Sequence, residues 1–559
     1  MAKYAIGLDF GTNSVRALLV DITTGEEIAT SVYEYPHGQA GILLDERDPD
    51  VARQHPQDYL DGTREVIVCV LTQAAARPGF SADQVVGIGV DTTGSTPIPV
   101  DANGTPLALK PEFADNLAAM AYLWKDHTGH AEAIEITALA AKMRPQFLTK
   151  CGGTYSAEWF WAKILRCLRA APEVYAAAYT WVEHADWLPA VLCGTDHPAQ
   201  LKRGICAAGH KAMFHPAWGG YPDEEFLSAL DARLVSVRKS LPDEAYHVGE
   251  AAGTLTAAWA ECTGLPAGIP VSVGAFDAHL GGVGSGIAPG VLVKIIGTST
   301  CDMMVAPLAE ELPDIPGLCG IVPESILPGY YGLEAGQSAV GDIFNWFVNV
   351  VQPAGMGHVE LTEAATRLQP GESGLLALDW HNGNRTVLVD QRLTGSVIGL
   401  TLQTTPAELY RAWVEATAFG ARVIMERFEE YGRTVERIIN CGGISAKNPL
   451  AMQIYADIMG RPLAISRSAQ TCALGAAISG AVAAGAYASF ADAMAAMTGV
   501  QPQVFTPNPE NQRIYNQLFA LYRRVHDAFG VKGSQDDLAD VMKQLLAIRD
   551  KVRSGGVIA

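Results

Sequence analysis

The chain has 559 residues, of which 49% are hydrophobic and only 18% charged, and its formal net charge is −20. This composition excludes an intrinsically disordered chain, and the acidic balance argues against a nucleic-acid binder, which normally presents a basic face. ATP binding stays open, because a few backbone amides and one metal ion can hold phosphates on an acidic protein.

No signal peptide is visible, and no uninterrupted apolar stretch reaches about 18 residues, so we expect a cytoplasmic protein without a membrane span. The Ala-rich run Gly475–Ala488 is short and contains three glycines, which predicts a buried helix packed closely on a neighbour. The ten cysteines include no C-x-x-C pair, which favours reduced thiols over a zinc or redox site. The sequence leaves a homodimer open.

The N-terminal segment predicts three antiparallel strands, then a helix, then a short buried strand that ends in a polar turn at residues 91–95. In chain order these are Tyr4–Leu8, Val15–Asp21, Glu27–Tyr35, the helix Pro56–Gln73 and the strand Val85–Val90. Residues 110–250 look like an elaboration on this first unit. They contain six of the ten tryptophans, most of which we expect in the core.

A similar order of elements begins again near residue 290. The strand Val291–Ile296 leads into the turn Gly297–Thr300, and Arg437–Asn440 ends in a glycine-containing turn before a helix over Pro449–Met459. This is a weak internal repeat, far longer than the repeats of a solenoid. It predicts two α/β domains that face each other across a cleft, at residues 1–286 and 287–559. Two further helices are predicted at the C-terminal end, over Gln512–Val531 and Asp536–Val552.

Three short turns have the composition of phosphate-binding loops. Gly7–Thr12 lets the backbone approach an anion closely, and Asp9 at the strand end is placed to hold Mg²⁺ through water. Gly297–Thr300 offers hydroxyls and backbone N–H groups to outer phosphates, and Gly442 with Gly443 leaves room for a nucleoside. Each turn alone is explained by an ordinary hairpin; their recurrence at matching places in two halves is far more specific.

These turns resemble the motifs of the FGGY carbohydrate kinases, in the superfamily of actin, heat-shock chaperones and hexokinase. The matching segments are Gly7–Asp21, Gly87–Asp101, Val293–Met303, Leu378–Thr386 and Asn440–Asn448. The resemblance implies two ribonuclease H-like (actin-like) domains around a hinged cleft, with sugar on the first, nucleotide on the second, and ATP and Mg²⁺ as cofactors. No G-x-x-x-x-G-K-[ST] segment is present, so a P-loop enzyme is excluded.

Further segments resemble the members of this family that phosphorylate L-ribulose. They are Val90–Pro97, Leu123–Thr128, Ala207–Lys211, Gly274–His279, Ile296–Asp302 and Gly332–Ser338. The resemblance implies ATP-dependent conversion of L-ribulose to L-ribulose 5-phosphate in L-arabinose degradation. The nucleotide-binding residues that it implies are Gly11, Thr12, Asn13, Gly297, Thr298, Ser299, Gly442, Gly443, Lys447 and Asn448.

Asp277 is our candidate for the catalytic base. It follows an apolar strand and small residues that leave space for substrate, and a positioned carboxylate can accept the proton of a sugar hydroxyl. The alternative is that Asp277 only caps a helix N-terminus. Lys211 and Glu334 are expected to bind the sugar hydroxyls, with added contacts from Ser95 and Thr96, where the backbone can matter more than the side chains.

Two other interpretations remain open. A related kinase would act on D-ribulose, xylulose, ribitol or another polyol, and turnover on a sugar panel distinguishes it. A non-enzymatic ATP-switched protein of the actin type is disfavoured by Asp277 and by the Lys211 and Glu334 pair. The histidines at 127, 210 and 279 show no metal-ligand spacing, so we expect structural histidines with satisfied hydrogen bonds.

Overall fold

The computed structural model describes residues 2–555. Up to residue 286 the strands are β1 (Tyr4–Phe10), β2 (Ser14–Asp21), β3 (Glu26–Glu34), β4 (Leu43–Asp45), β5 (Asp48–Gln54), β6 (Val85–Thr92), β7 (Pro97–Val100), β8 (Ala121–Tyr122), β9 (Thr180–Glu183), β10 (Ala251–Thr254), β11 (Pro270–Ser272) and β12 (Ala275–Phe276). The helices are α1 (Pro56–Ala74), α2 (His130–Met143), α3 (Gln146–Thr149), α4 (Phe160–Ala170), α5 (Pro172–Ala177), α6 (His184–Cys193), α7 (Ile205–Lys211), α8 (Glu224–Leu230), α9 (Leu234–Ser240), α10 (Ala257–Thr263) and α11 (Asp277–Gly284).

The second half begins with a strand and ends in two long helices. Its strands are β13 (Val291–Ile296), β14 (Thr300–Pro307), β15 (Gly320–Pro323), β16 (Tyr330–Ala335), β17 (Leu376–Leu378), β18 (Ser396–Ile398), β19 (Arg437–Cys441), β20 (Leu463–Ser466) and β21 (Val500–Phe505). Its helices are α12 (Gly341–Trp346), α13 (His358–Thr366), α14 (Pro406–Glu430), α15 (Gly443–Lys447), α16 (Pro449–Met459), α17 (Thr471–Ala483), α18 (Phe490–Met497), α19 (Pro509–Gly530) and α20 (Val541–Arg553).

The two halves repeat one sheet topology, as the internal repeat predicted. In the first half the order is β3-β2-β1-β6-β11-β10, and in the second it is β16-β14-β13-β19-β20-β21, with β15 outside β16. In each sheet the first two strands pair antiparallel and the first pairs parallel with a later strand. The carboxyl ends of the parallel strands therefore meet at one edge of each sheet, where ligands bind in open α/β folds.

The helices α11 and α17 lie between the two sheets and exchange partners. The second half's α17 contacts β1 and β6, whereas the first half's α11 contacts β13 and β14. Glycines allow this approach: a Cβ at Gly7 would overlap the Ala473 carbonyl oxygen, and one at Gly475 would overlap that of Leu280. The Ala-rich run is therefore the closely packed buried helix that its glycines predicted.

The elaboration on the first half has a core of its own. Helices α2, α4, α8 and α9 surround buried aromatic residues, among them Trp161 and Trp181, in agreement with the predicted core role. All ten cysteines are free in the structure. Within residues 2–555, no helix has both the length and the apolar character needed to cross a bilayer.

Candidate active site

Asp9 and Asp91 lie side by side at the edge of the first sheet. They are register partners in the parallel strands β1 and β6, so their side chains project from the same face. Asp91 is fully buried, and neither of its carboxylate oxygens accepts a hydrogen bond from an N–H or hydroxyl donor of residues 2–555, so its carboxyl group interacts mainly with that of Asp9. Asp9 is partly exposed, and Arg16 Nη1 lies 3.4 Å from its Oδ2. The sheet edge thus brings two acidic side chains together, and burial raises the pKa of both.

Asp277 approaches the same edge as the first residue of α11. The preceding strand β12 pairs in parallel with the end of β6, which places residue 277 just beyond Thr92. The Ala278 amide donates to Asp277 Oδ1 at 2.7 Å. The N-cap position belongs to Phe276, so Asp277 does not cap the helix. Burial, and then the charge of Asp9, raises the pKa of Asp277 to about 7, which suits a general base.

This group of carboxylates fits a hard divalent cation. Mg²⁺ prefers carboxylate oxygens, and a buried carboxylate without a donor is costly unless a cation or a proton compensates it. Burial, followed by the charges of Asp9 and Asp277, raises the pKa of Asp91 well above its ordinary value. Asp9 would hold the ion from the cleft side, with Asp91 behind it. The sequence identified Asp9 for this role but not Asp91.

The first phosphate turn, at residues 11–13, is held by contacts from several parts of the first half. Trp124 Nε1 donates to Thr12 Oγ1 at 3.1 Å, and Gln54 Nε2 donates to the Thr12 carbonyl at 2.8 Å. Asn13 Nδ2 donates to the Ala40 carbonyl at 2.6 Å, and the Gly11 amide closes the turn on Ser14. The side chains of Thr12 and Asn13 thus have protein partners that fix the shape of the loop.

The second and third turns lie next to each other at the edge of the second sheet. Gly297 and Thr298 follow β13 and are exposed, while Gly442, at φ 93°, follows the neighbouring strand β19 and lies against the Ile296 carbonyl. The Gly341 amide donates to the Gly297 carbonyl at 3.1 Å, so the start of α12 borders the same turn. The structure therefore brings the predicted phosphate and nucleoside residues of the second half together.

Lys447 and Asn448, two of the predicted nucleotide-binding residues, differ in whether their side chains have partners within the protein. Lys447 is exposed at the end of α15. The Asn448 side chain caps α16, where its Oδ1 accepts from the Ala451 amide at 3.0 Å, and its Nδ2 lies 3.4 Å from the Tyr410 hydroxyl. Any contact between Asn448 and a nucleotide would compete with this cap.

Lys211 and Glu334 form a buried ion pair that joins the two halves. Lys211 ends α7 and Glu334 lies in β16, and Lys211 Nζ is 3.1 and 3.2 Å from the two carboxylate oxygens. Although burial alone would raise it, the pKa of Glu334 is held well below its ordinary value by Lys211 and His210. The structure thus brings together a charged donor and a charged acceptor from distant parts of the chain.

Two histidines border this pair. His210 Nδ1 lies 3.1 Å from Glu334 Oε2, and its Nε2 lies 3.0 Å from the Ser325 hydroxyl. His279 differs from the expected structural histidine, because neither ring nitrogen has a hydrogen-bond partner within residues 2–555. Burial lowers the pKa of both rings. His210, His279 and Glu334 are close enough to share one metal ion, but the Lys211 ammonium beside them repels a cation.

Ser95 and Thr96 are fully buried, and their hydroxyls are engaged inside the first half. Ser95 Oγ donates to Glu183, whereas Thr96 Oγ1 donates to the Thr93 carbonyl at 3.2 Å. A contact between this turn and a sugar would thus come from the backbone. Sequence reasoning did not single out Glu183, although a lone carboxylate that ends an apolar strand was a usable signal.

The chain matches two family models in succession. Residues 4–284 match the N-terminal domain of the FGGY family of carbohydrate kinases, and residues 292–484 match the C-terminal domain of that family. A ribulokinase of Vibrio parahaemolyticus is 45% identical over 94% of this chain and 95% of its own length. One of Mycolicibacterium smegmatis is 44% identical over 94% of both chains.

Solved structures share the fold at lower sequence identity. A ligand-bound xylulose kinase from Lactobacillus acidophilus superposes with a TM-score of 0.78 and 19% identity, covering 95% of this chain and 99% of that one. Plasmodium falciparum glycerol kinase with ADP gives a TM-score of 0.76 and 15% identity over 95% and 99% of the two chains. With both family models matched along most of its length, the chain belongs to the FGGY family of carbohydrate kinases.

Proposed function

We propose that this protein transfers the γ-phosphoryl group of ATP to the terminal hydroxyl of L-ribulose, giving L-ribulose 5-phosphate and ADP. The step would belong to L-arabinose degradation in the cytoplasm. The observation that carries this choice of sugar is the likeness, along nearly the whole chain, to proteins named ribulokinase. The buried Lys211–Glu334 pair supports it, because a ketopentose offers several hydroxyls and a carbonyl to a paired donor and acceptor.

In this mechanism Asp277 accepts the proton of the terminal hydroxyl as the O–P bond forms and the bond from Pγ to the β-phosphate oxygen breaks. Its carboxylate is oriented by the Ala278 amide, and its raised pKa favours proton transfer near neutral pH. Lys211 and Glu334 orient the sugar, while the turns at 11–13 and 297–299 offer backbone N–H groups to the phosphates. Phosphoryl transfer depends mainly on such alignment and charge neutralisation.

Mg²⁺ fits the carboxylates of Asp9 and Asp91, as argued from the unpartnered oxygens of Asp91. When bound, the ion would neutralise phosphate charge during transfer. The residues contribute the rest: Asp9 presents a carboxylate at the cleft, and Arg16 restrains that carboxylate from the side.

The alternative substrates are D-ribulose, xylulose and ribitol, which the same pocket chemistry would accept with different geometry. ADP release measured across ketopentoses, pentitols and glycerol tests the proposal, with the product identified by phosphorus NMR. We expect the largest kcat/KM with L-ribulose. If another sugar gave a higher kcat/KM, that sugar would be the proposed substrate instead. If no sugar stimulated ADP release, the proposed function would be wrong.

A further inference from the structure

We propose that Glu183 and Lys163 are positioning residues for the sugar acceptor, although neither lies in a phosphate- or sugar-binding motif. Glu183 ends β9 and Lys163 lies in α4, and both are buried. Both contact residues 93–96, the loop that follows β6, which we name the acceptor turn. The inference rests on the proposed function for the identity of the sugar. It adds two buried residues that hold the acceptor turn in place without contacting the sugar.

Glu183 binds two donors of the acceptor turn with one carboxylate. The Ser95 hydroxyl donates to Glu183 Oε1, and the Thr96 amide donates to Oε2 at 2.7 Å. The chain also turns back at this point, because the His184 amide donates to the Thr96 carbonyl at 3.0 Å. A carboxylate with two acceptor oxygens is the group that both donors require.

Lys163 holds the other side of the same turn. Its Nζ donates to the Ser95 carbonyl at 2.8 Å and to the Leu123 carbonyl at 3.0 Å, with the Tyr122 carbonyl at 3.4 Å. Ser95 is therefore held at its hydroxyl by the Glu183 carboxylate and at its carbonyl by the Lys163 amino group. A buried polar group is costly unless it is hydrogen-bonded, so these contacts stabilise Lys163 and restrain the turn together.

The acceptor turn packs against the residue that precedes Asp277, so its position affects the position of the proposed base. Gly94 lies against the ring of Phe276, since a Cβ at Gly94 would overlap the Phe276 ring carbons. Phe276 immediately precedes Asp277, and Lys211 Nζ lies 5.7 Å from the centre of its ring. Because protein interiors are close-packed, a shift of the turn would displace Phe276, and with it the base and the sugar-binding lysine.

We therefore expect variants of Glu183 to misplace the sugar relative to Asp277 and to leave the proton-accepting carboxylate of Asp277 unchanged. Misplacement by about 1 Å of groups that orient a substrate can reduce the rate by about 100-fold. Glu183→Gln keeps the shape of the side chain but removes its charge, and its NH₂ group can only donate, so the Ser95 hydroxyl has to accept where it now donates. The acceptor turn would then relax while Asp277 keeps its carboxylate.

The test compares Glu183→Gln and Ser95→Ala with Glu415→Gln in the full chain. Glu415 is a matched control: it is equally buried, and it accepts two hydrogen bonds, from Arg411 in the same helix α14 and from Tyr515 in α19. We expect both Glu183→Gln and Ser95→Ala to lower kcat/KM for the sugar by about 10–100-fold, with KM for ATP changed by less than about twofold. Discrimination among sugars of the panel should shrink as well.

A double variant tests whether Glu183 acts through Ser95. If it does, Glu183→Gln/Ser95→Ala should lose no more activity than Glu183→Gln alone, because the two changes break one interaction. Lys163→Met should shift the same parameters in the same direction. Thermal unfolding of every variant separates a loss of stability from a loss of alignment.

The inference is overturned if the variants at 183 and 95 behave like Glu415→Gln, with a lower Tm but wild-type kcat/KM and wild-type sugar ratios. Should Glu183→Gln fail to fold, Ser95→Ala, which removes only one donor, decides the question alone. A wild-type protein that prefers another sugar would revise the proposed function, and the same comparison would then be made with that sugar. The two failures are therefore distinguishable.

Discussion

Lys211 Nζ contacts both carboxylate oxygens of Glu334, at 3.1 and 3.2 Å, although the two residues belong to opposite halves of the molecule. The predicted sugar-binding pair therefore exists only where α7 of the first half meets β16 of the second. With each side chain less than a tenth exposed, the pair is largely shielded from water. A sugar that enters this place meets two charges that are already oriented.

Breaking this pair should impair sugar use more than nucleotide use. Lys211→Met and Glu334→Gln should each lower kcat/KM for the sugar by about 10–100-fold, because a hydrogen bond to a charged group contributes about 1.5–3 kcal/mol. KM for ATP should change little. Removing one partner also leaves a buried charge, so each single variant should lose about 3–5 kcal/mol of unfolding free energy.

The double variant Lys211→Met/Glu334→Gln separates the two effects. It removes both charges, so its stability should recover relative to the single variants while its sugar activity stays low. Steady-state kinetics and chemical unfolding measure the two quantities. Wild-type sugar ratios in both single variants would place the pair outside the pocket.

Replacing the proposed base, Asp277, should greatly reduce kcat while the protein still binds sugar and ATP. Asp277→Asn keeps the shape and the contact with Ala278 but cannot accept a proton, so kcat should fall by about 10²–10⁴. Sugar and ATP affinities, measured by calorimetry, should stay within several-fold. Turnover near that of the wild type would remove Asp277 from the mechanism.

The raised pKa of Asp277 predicts a pH dependence of stability. Burial and the charge of Asp9 raise this pKa from 3.8 to about 7, so the folded protein holds the proton more tightly than the unfolded chain. The stability that this proton supplies is present at low pH and is lost as the pH rises from about 4 to about 7. Asp277→Asn should thus unfold at a higher temperature than the wild type at pH 8, with the difference shrinking towards pH 5. A constant difference across this range would contradict the assignment.

The same group predicts the acid limb of the reaction. Because the base must be ionised to accept a proton, kcat/KM for the sugar should fall as the pH drops below the pKa of Asp277. A bound cation beside Asp9 would favour the ionised form, so raising the Mg²⁺ concentration should move this limb to lower pH. Initial rates across pH at two Mg²⁺ concentrations measure the shift; a limb that does not move would argue against an ion near Asp277.

Close packing of α11 on α17 should make one glycine indispensable. A Cβ at Gly284 would overlap the Thr471 carbonyl oxygen, a backbone atom that cannot move alone, whereas a Cβ at Gly282 would lie 3.3 Å from the end of the Ile287 side chain. Gly284→Ala should therefore cost more than about 2 kcal/mol, and Gly282→Ala, in the same helix, less than about 1 kcal/mol. Urea unfolding of both variants checks the contrast, and equal midpoints would refute it.

The bounds of a helix or strand could be predicted where the residues that begin and end it lie within the segment itself. Val291–Ile296 and Pro449–Met459 are a strand and a helix with the predicted bounds. The predicted helix Gln512–Val531 begins earlier, at Pro509, because the Asn508 side chain accepts from the amides that follow it. The helix predicted from Asp536 begins only at Val541, where residues 536–540 instead hold Arg524 through Asp537 and Asp540.

The candidate site was less accessible to sequence reasoning, because its missing members act through contacts made by distant segments. Nothing local shows that Asp91 is the register partner of Asp9, or that Glu183 binds the turn at Ser95, 88 positions earlier. Nor does the local sequence show that both ring nitrogens of His279 lack hydrogen-bond partners within residues 2–555, where we had predicted a hydrogen-bonded structural histidine. The predicted phosphate-binding residues lie in turns whose composition itself suggests that role, whereas Lys211 and Glu334 were named because their segments resemble the family.

The exchange of α11 and α17 between the sheets has a mechanical consequence. The second half's α17 covers β1 and β6 of the first half, so a chain cut between residues 286 and 287 should leave this part of the first sheet exposed, and the two fragments should be more stable together than apart. A rotation of the two halves that preserves the glycine contacts would keep α11 and α17 packed on each other. Asp277 begins α11, so a motion between the halves would bring the nucleotide of the second half towards a base and a sugar that the first half holds.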